Sequence, residues 1–366
     1  MTLPRIAIDV RCAAGPLSGI GRFALTLLEG LAAIGPPEPL LLIRRRGQPV
    51  PEGLRDVSDF RWRIADRASY EPLGQWRLAR ELRKDGVQVL ASPDSFAPLM
   101  GGLKQVITIH DVIPLRHPEL LPRSAKGRFS GLWRQWLRLQ TRRAEKVLTV
   151  SDHAKRDIAE IFPGAADKLQ TVYNAVPQCA GTDQRHSVSN PDLLYVGRDA
   201  PYKNIVGCIE TVAALRCSGV AAKLTIVGEP DPRYPEVGQA IERLGLQGQV
   251  VVTGHVDETR LADAYQRAGV FLFLSRYEGF GLPPLEAMAR GVPVVASNRA
   301  SLPEVLGDAA LQVDPDDVDQ AASAVRRVLD DPDLANGLAE RGRARAAAFT
   351  AERQATMFWD AIAPLL

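Results

Sequence analysis

Glu278-Gly-Phe-Gly-Leu-Pro-Pro-Leu-Glu286-Ala-Met-Ala-Arg-Gly-Val-Pro-Val-Val-Ala-Ser297 is the stretch that decides the fold of this chain. An apolar run at 270–274 precedes it, and a second run at 292–296 lies at its end. Short continuous apolar runs of this kind read as buried parallel strands. The glycines between them then lie at the carboxyl end of a strand and lead into a helix whose first turn holds Pro283 and Pro284. A missing N–H costs nothing at that position. Gly279 and Gly281 allow the backbone to approach a ligand closely. The free amides of a first helical turn accept anions, with a dipole contribution of roughly 0.3–1 kcal/mol at an exposed site and about 2 when partly buried. An isolated Glu here would only complement the helix dipole. Two carboxylates flanking one anion-binding loop repel phosphate unless they bind something else, and sugar hydroxyls are the natural partner. The combination points to a nucleotide sugar.

Working outward, the same strand–helix alternation fills the chain. In the first half, strands are expected at 5–10, 40–43, 87–91, 106–110, 146–150 and 169–173. Helices are expected at 20–34, 73–84, 124–145 and 152–161. Residues 178–191 are polar and aperiodic, and read as a linker. The pattern restarts with strands at 192–196, 223–227, 250–253, 270–274, 292–296 and 310–313, separated by helices. Two βαβ series imply two Rossmann-like α/β domains with parallel sheets. The expected division is 1–178 for the first domain, 179–191 for the linker, 192–350 for the second, and a terminal helix in 351–366 that crosses back to the first.

A chain of 366 residues, 46% apolar and 24% charged, has the make-up of a two-domain globular enzyme. Its four cysteines, Cys12, Cys179, Cys208 and Cys217, show no C-x-x-C spacing. Reduced thiols in a cytoplasmic protein are expected rather than a zinc site. Arg5 and Asp9 interrupt the first apolar run, so no signal peptide is expected there, and no run approaches the ~20 residues of a membrane span. The net charge of +2 conceals an asymmetry: residues 1–180 hold 27 Lys+Arg against 18 Asp+Glu, and the remainder 18 against 25. A basic first half calls for an anionic partner. Candidates are a membrane surface, a pyrophosphate-linked acceptor and nucleic acid, and the last lacks any helix-turn-helix or RNA-binding signature. The basic segment 124–146 repeats Trp133, Trp136, Leu137 and Gln140 on one helical face and Arg134, Arg138 and Arg142 on another. It reads either as a core-packed helix with a solvated face or as a contact with the inner face of the membrane.

Three further motifs carry chemistry. Val196-Gly-Arg198-Asp-Ala-Pro-Tyr-Lys203-Asn204 places a planar guanidinium and a point-charge ammonium in a strand–loop–helix anion site. Gly19-Ile-Gly21-Arg-Phe-Ala24 fits the dinucleotide fingerprint on paper. However, Val10 and Gly19 are too far apart for the tight βα turn, and Arg44-Arg45-Arg46 replaces the ribose-binding acid. An NADP-dependent oxidoreductase is kept as an alternative on that ground. His110-Asp111 closes a strand, where a His is either a site residue or a structural one. Asp314-Pro-Asp316 and Asp331-Pro-Asp333 have the look of metal-binding D-x-D, but each stands where turn and capping chemistry is expected, so no metal site is assigned.

The spacing Glu278-x7-Glu286, followed by Gly291-Val-Pro-Val-Val-Ala-Ser297 and Leu302-Pro-Glu-Val305, resembles the donor-site signature of retaining GT-B-fold glycosyltransferases of the family 4 type. The resemblance covers most of the chain. It implies two Rossmann-like domains facing across a cleft. Glu286 would bind the nucleotide ribose, and Glu278 with Gly279, Phe280, Gly281 and Leu282 the sugar and its phosphate. Arg198 and Lys203 would hold the diphosphate without a metal ion. It further implies His110 against the sugar ring, Asp111 as a loop-orienting residue, and Gly19 and Gly21 near the donor phosphates and acceptor. The donor would serve as substrate, with no separate cofactor. The branch with a similar His-Asp-Val-Ile-Pro segment implies GDP-mannose and bacterial polysaccharide assembly, with a saccharide or polyprenyl-diphosphate-linked acceptor. UDP-sugars come next, and a sugar-nucleotide epimerase shares the architecture.

Overall fold

The computed structural model describes residues 4–14, 18–66, 71–177 and 191–366. The expected linker thus falls, save Pro191, outside the described residues. The chain forms two compact units. One comprises Met1–Arg116, Phe129–Ala175 and Phe349–Leu366, the other His117–Arg128 and Val176–Ala348. The terminal segment groups with the first unit, and residues 117–128, expected in the first domain, group with the second.

In unit 1, parallel strands β1 (Ile6–Asp9), β2 (Leu40–Arg44), β3 (Phe60–Ile64), β4 (Val89–Ser92), β5 (Lys104–Thr108), β6 (Lys146–Thr149) and β7 (Leu169–Thr171) order as β3-β2-β1-β4-β5-β6-β7. Ile6 of β1 sits between Leu40 and Val89 in register. The sheet is apolar because helices cover both faces, and β1 and β4 are buried throughout. The helix Gly19–Ile34 starts at Ser18, whose hydroxyl accepts from the Gly21 amide at 3.2 Å, and stops at Gly35 with φ 66°. The terminal helix Ala351–Ile362 packs on it. A Cβ at Gly30 would overlap the Ala351 carbonyl, and Gln354 Nε2 donates to the Phe23 carbonyl at 3.2 Å. Thr26 Oγ1 completes the contact with Gln354 Oε1 at 2.7 Å.

Two sequence readings need correction in this unit. The strand β3, Phe60-Arg-Trp-Arg-Ile64, is absent from the expected set. It is the edge strand, paired on one side by β2 and only partly buried beyond Phe60, so it carries arginines where a central strand would be apolar throughout. The expected helix 124–145 is broken into Ala125–Arg128 and Ser130–Arg143 at Phe129, whose φ −111° and ψ 39° are not helical. Gly127 and Gly131 flank the break and weaken the helix there.

In unit 2, parallel strands β8 (Asp192–Val196), β9 (Lys223–Val227), β10 (Val250–Gly254), β11 (Val270–Phe273), β12 (Val294–Ser297) and β13 (Ala310–Val313) order as β10-β9-β8-β11-β12-β13. The chain runs outward from β8 to β10, then returns to the other side of β8 with β11, pairing Val270 with Leu193. This reversal is the topological switch point. Its neighbouring strands send their following loops in opposite directions, leaving a crevice at their carboxyl ends.

Candidate functional site

The carboxyl ends of β8 and β11 carry the residues singled out in the sequence. Gly197 follows β8. A Cβ there would stand 2.8 Å from the Tyr195 hydroxyl, so only glycine fits this turn. Exposed Arg198 comes next, then the 3-10 turn Pro201–Lys203. Asn204 leaves that turn in the left-handed region (φ 51°), which Asn tolerates. Its buried Nδ2 donates to the Pro315 carbonyl at 2.7 Å. The helix Ile205–Cys217 follows directly.

After β11, Arg276 N donates to the Tyr202 carbonyl at 2.7 Å and stitches the two loops together. Gly281 caps the helix Leu282–Ala289 at φ 103°, and a Cβ on it would lie 2.6 Å from Leu302 Cδ2. Pro283 and Pro284 occupy the first turn as the sequence reading expects. Sequence reasoning misses Ser301. Fully buried, its hydroxyl lies 3.0 Å from the Glu278 carbonyl and 2.9 Å from that of Phe280, and so holds the glycine loop in shape. Its only trace in the sequence is its place before Leu302-Pro303.

Glu278 and Lys203 meet. Lys203 Nζ donates to Glu278 Oε1 at 2.6 Å, and the two side chains are 13% and 10% exposed. The ammonium also lies 5.2 Å from the Tyr202 ring centroid and 5.5 Å from that of Phe273, within cation–π range. Glu286, buried one helix turn beyond the glycine loop, accepts a hydrogen bond from the Tyr265 hydroxyl at 3.0 Å. Arg290 stacks over that same ring at 4.6 Å and donates to the Glu286 carbonyl at 3.0 Å. The Tyr265 ring thereby fixes Glu286; as a distant residue on the helix Glu258–Arg267, it gives no sequence signal.

The electrostatics of this end of the sheet are mixed. Asp231 has its carboxyl held below the usual range by its hydrogen bonds to Arg233, with a contribution from Arg198. Burial raises the Asp199 carboxyl, and the nearby charges of Asp231 and Glu236 add to the shift. Beside them a largely apolar cavity of about 340 Å³ is lined by Gly197, Asp199, Ile226, Gly228, Asp231 and Tyr234 among others. The Tyr195 hydroxyl, buried beneath Gly197, is raised well above its ordinary value by desolvation. The two D-x-D stretches serve structure. Asp314 and Asp316 pair with Arg299, Asp316 also with Arg276, and Asp331 caps the helix Pro332–Ala346.

Unit 1 gathers a second set. His110 follows β5, and its Nε2 lies 2.8 Å from the Pro93 carbonyl, an acceptor that fixes the proton on Nε2. Phe23 meets the imidazole edge-on at 5.1 Å. Asp111 Oδ1 accepts from the Ile113 amide at 3.2 Å and shapes the turn into the short helix Ile113–Arg116. At the end of β1, buried Asp9 and Arg11 form an ion pair with Nε–Oδ1 at 2.8 Å. Gly19 and Gly21 belong to the first turn of the helix Gly19–Ile34 rather than to a loop, and Gly19 faces open space. Among the described residues, then, Arg198, Lys203, Glu278, Glu286 and residues 279–282 share one end of one sheet, and His110, Asp111, Gly19 and Gly21 belong to the other unit.

Two parallel-sheet α/β domains, one with an acid–glycine–acid loop and a cation loop at its switch point, define a GT-B glycosyltransferase. Known proteins agree. The profile of the family "Glycosyl transferases group 1" matches residues 183–345, and that of "Glycosyltransferase Family 4" matches residues 17–178. The chain belongs to this glycosyltransferase family. It is 31% identical to the O-antigen chain mannosyltransferase B of Escherichia coli over 366 residues, covering 93% of this chain and 94% of that protein. Among solved structures, sucrose-phosphate synthase from Thermosynechococcus elongatus superposes with a TM-score of 0.75 at 22% identity, over 99% of both chains. The Anabaena protein HepE in complex with UDP-glucose superposes at 0.73 and 18% identity, covering 98% of this chain and 99% of that one.

Proposed function

We propose that this glycosyltransferase moves a mannosyl residue from GDP-mannose to a hydroxyl of a saccharide, free or carried on a polyprenyl diphosphate, with retention of anomeric configuration and without a metal ion. The observation that carries the reading is the union of a cation, a carboxylate and a helix N-terminus where β8 and β11 end. In this reading Arg198 and Lys203 hold the diphosphate, and the amides of residues 279–282 complete its cradle. Glu278 takes sugar hydroxyls, and Glu286, aligned by Tyr265, takes those of the ribose. In unit 1, His110, Gly19 and Gly21 keep the sugar-side and acceptor-side roles that the family resemblance implies. The transition state is oxocarbenium-like, so most of the catalysis is stabilisation of charge on the departing diphosphate. Preorganised donors of this kind contribute ~2.7–4 kcal/mol each. Mannose is supported by the name of the full-length relative. A UDP-sugar is the second reading, supported by the UDP-glucose complex of a structural neighbour. A cytoplasmic enzyme working at the inner membrane face suits the basic first half.

The test is a donor panel of GDP-mannose, UDP-glucose, UDP-galactose and ADP-glucose, with a lipid-linked saccharide as acceptor. Mannosyl transfer from GDP-mannose alone, with an α-linked product by NMR, is the expected result. Transfer from a UDP-sugar only would replace the donor assignment. Conversion of donor to an epimer without acceptor would overturn the reaction itself.

A further inference from the structure

Three loops at the carboxyl end of the second sheet converge on one carboxylate. Asp316, in the loop after β13, sends Oδ1 to Arg276 Nε at 2.7 Å and Oδ2 to Arg299 Nη1 at 3.0 Å. Arg276 stands in the loop after β11, and Arg299 in the loop after β12. Each arginine reaches onward to the loops that carry the site. Arg276 donates from its backbone N–H to the Tyr202 carbonyl at 2.7 Å and from Nη1 to the Pro201 carbonyl at 3.4 Å, so it holds the turn that carries Lys203. Arg299 begins the turn Arg299-Ala300-Ser301, in which Ala300 is left-handed at φ 55° and Ser301 binds the Glu278 and Phe280 carbonyls. Asp316 is itself fixed. Its N–H donates to Asp314 Oδ1 at 3.0 Å, the Asp314 N–H donates to Gln320 Oε1 at 2.6 Å, and Arg299 Nη2 donates to Asp314 Oδ1 at 2.8 Å. Pro315, between the two acids, takes Asn204 Nδ2 on its carbonyl at 2.7 Å.

We infer that Asp316 is a positioning residue for Lys203: by bridging Arg276 and Arg299 it sets the Lys203 turn in place against the glycine loop 278–282. The turn needs such a hold. Pro201–Lys203 is a single 3-10 turn that leaves into left-handed Asn204, and a non-glycine residue keeps that conformation only where its surroundings enforce it. Stability alone does not account for the network. The side chains of Arg276, Arg299, Asp314 and Asp316 are 35–46% exposed, where ion pairs contribute little to folding. Geometry does account for it. A guanidinium is a planar fork, so a carboxylate shared between two of them fixes direction as well as distance. A shift of about 1 Å in a positioned group is enough to cost a site much of its effect. This role rests on the reading of that sheet end as a diphosphate site, and it names the residue that sets the site's cation in place.

Two measurements test it. Calorimetric titration of GDP and UDP should show binding weakened about tenfold in Asp316→Ala and Asp316→Asn, the scale of one charge-assisted hydrogen bond. In a Lys203→Ala background the larger part of the Asp316→Ala effect should disappear, because a residue that acts through Lys203 has nothing left to position; a merely structural residue would keep its full effect. The control Asp330→Asn, which removes an exposed partner of Arg326, should change nothing. Without any ligand, limiting N-hydroxysuccinimidyl acetate read by peptide mass spectrometry should acylate Lys203 about tenfold faster in both Asp316 variants, relative to exposed Lys84 and Lys223, since a loosened turn lets the ammonium leave Glu278. Asp316 is half-exposed, so both variants should keep the wild-type melting temperature. Unchanged acylation of Lys203 in both variants would overturn the inference. So would an Asp316→Ala effect on binding as large without Lys203 as with it. Failure of the wild type to bind any nucleoside diphosphate would remove the diphosphate reading instead, and the acylation of Lys203 would then decide the positioning role by itself.

Discussion

Replacing Glu278 with Gln should tighten the binding of the free nucleoside diphosphate while it abolishes sugar transfer. In the structure Lys203, the cation proposed to hold the diphosphate, is already engaged by Glu278 at 2.6 Å. A diphosphate must compete with that carboxylate and be repelled by it. The pair is largely enclosed, with side chains 13% and 10% exposed, so solvent screens it weakly. A charge-assisted hydrogen bond in such a place is worth about 1.5–3 kcal/mol net. At about 1.4 kcal/mol per tenfold, releasing Lys203 to the phosphate is worth about 10- to 100-fold in dissociation constant. The amide side chain keeps the shape of the loop, and Ser301 still holds the backbone carbonyl of position 278. The Tyr202 and Phe273 rings still face the ammonium, so the loss of stability should stay below the ~3–5 kcal/mol of a fully broken buried pair. Isothermal titration of GDP and UDP into wild type and Glu278→Gln reads the effect directly, and donor turnover should fall by roughly 100-fold or more as the sugar loses its carboxylate partner. Equal or weaker diphosphate binding by the variant would refute the competition argued from the ion pair.

Other perturbations follow the same logic. Lys203→Ala or Arg198→Ala should lower turnover by about 100- to 1,000-fold through loss of leaving-group stabilisation, checked by nucleoside diphosphate release under saturating donor. Asp199 has its folded-state carboxyl raised by burial. The folded state therefore holds its proton longer than the unfolded chain, and stability falls as pH rises from the ordinary value through the raised one. Asp199→Asn should accordingly raise the melting temperature at pH 7–8, with the gain vanishing near pH 3. The Cys208 thiol is pushed up to about 12 by complete burial, whereas Cys217 is exposed. Mass spectrometry after maleimide treatment at pH 8 should find Cys217 labelled and Cys208 unmodified until the protein is denatured. Gly30→Leu should destabilise by about 1–3 kcal/mol or more, because its side chain meets the Ala351 carbonyl, visible as a lowered melting temperature.

Much of the architecture is legible because parallel strands buried on both faces write themselves as apolar runs. Val270–Phe273 and Val294–Ser297 are visible on that account, and each is buried throughout. An edge strand breaks that rule, which is why Phe60–Ile64 escapes a search for such runs. The helix break at Phe129 is hidden because the apolar and basic periodicity continues across it, and only Gly127 and Gly131 hint at the interruption. In the site, the acid–glycine–acid loop is legible because its chemistry is local to one segment. Tyr265 and Ser301 are not. Their contacts with Glu286 and with the 278–280 carbonyls reach across long stretches of sequence, and nothing local marks a Tyr or Ser as the partner of a distant carboxylate or carbonyl. Asn204 lies between these cases: it stands within its motif, yet its left-handed conformation and its bond to Pro315 are tertiary facts.

The measurement closest to the heart of the account is calorimetric titration of GDP-mannose into the wild-type chain and into Glu286→Ala. The expected outcome is saturable binding of one donor per chain, weakened at least tenfold when the Tyr265-held carboxylate is removed. Undiminished donor binding by Glu286→Ala, or no binding of any nucleoside diphosphate sugar by the wild type, would contradict it.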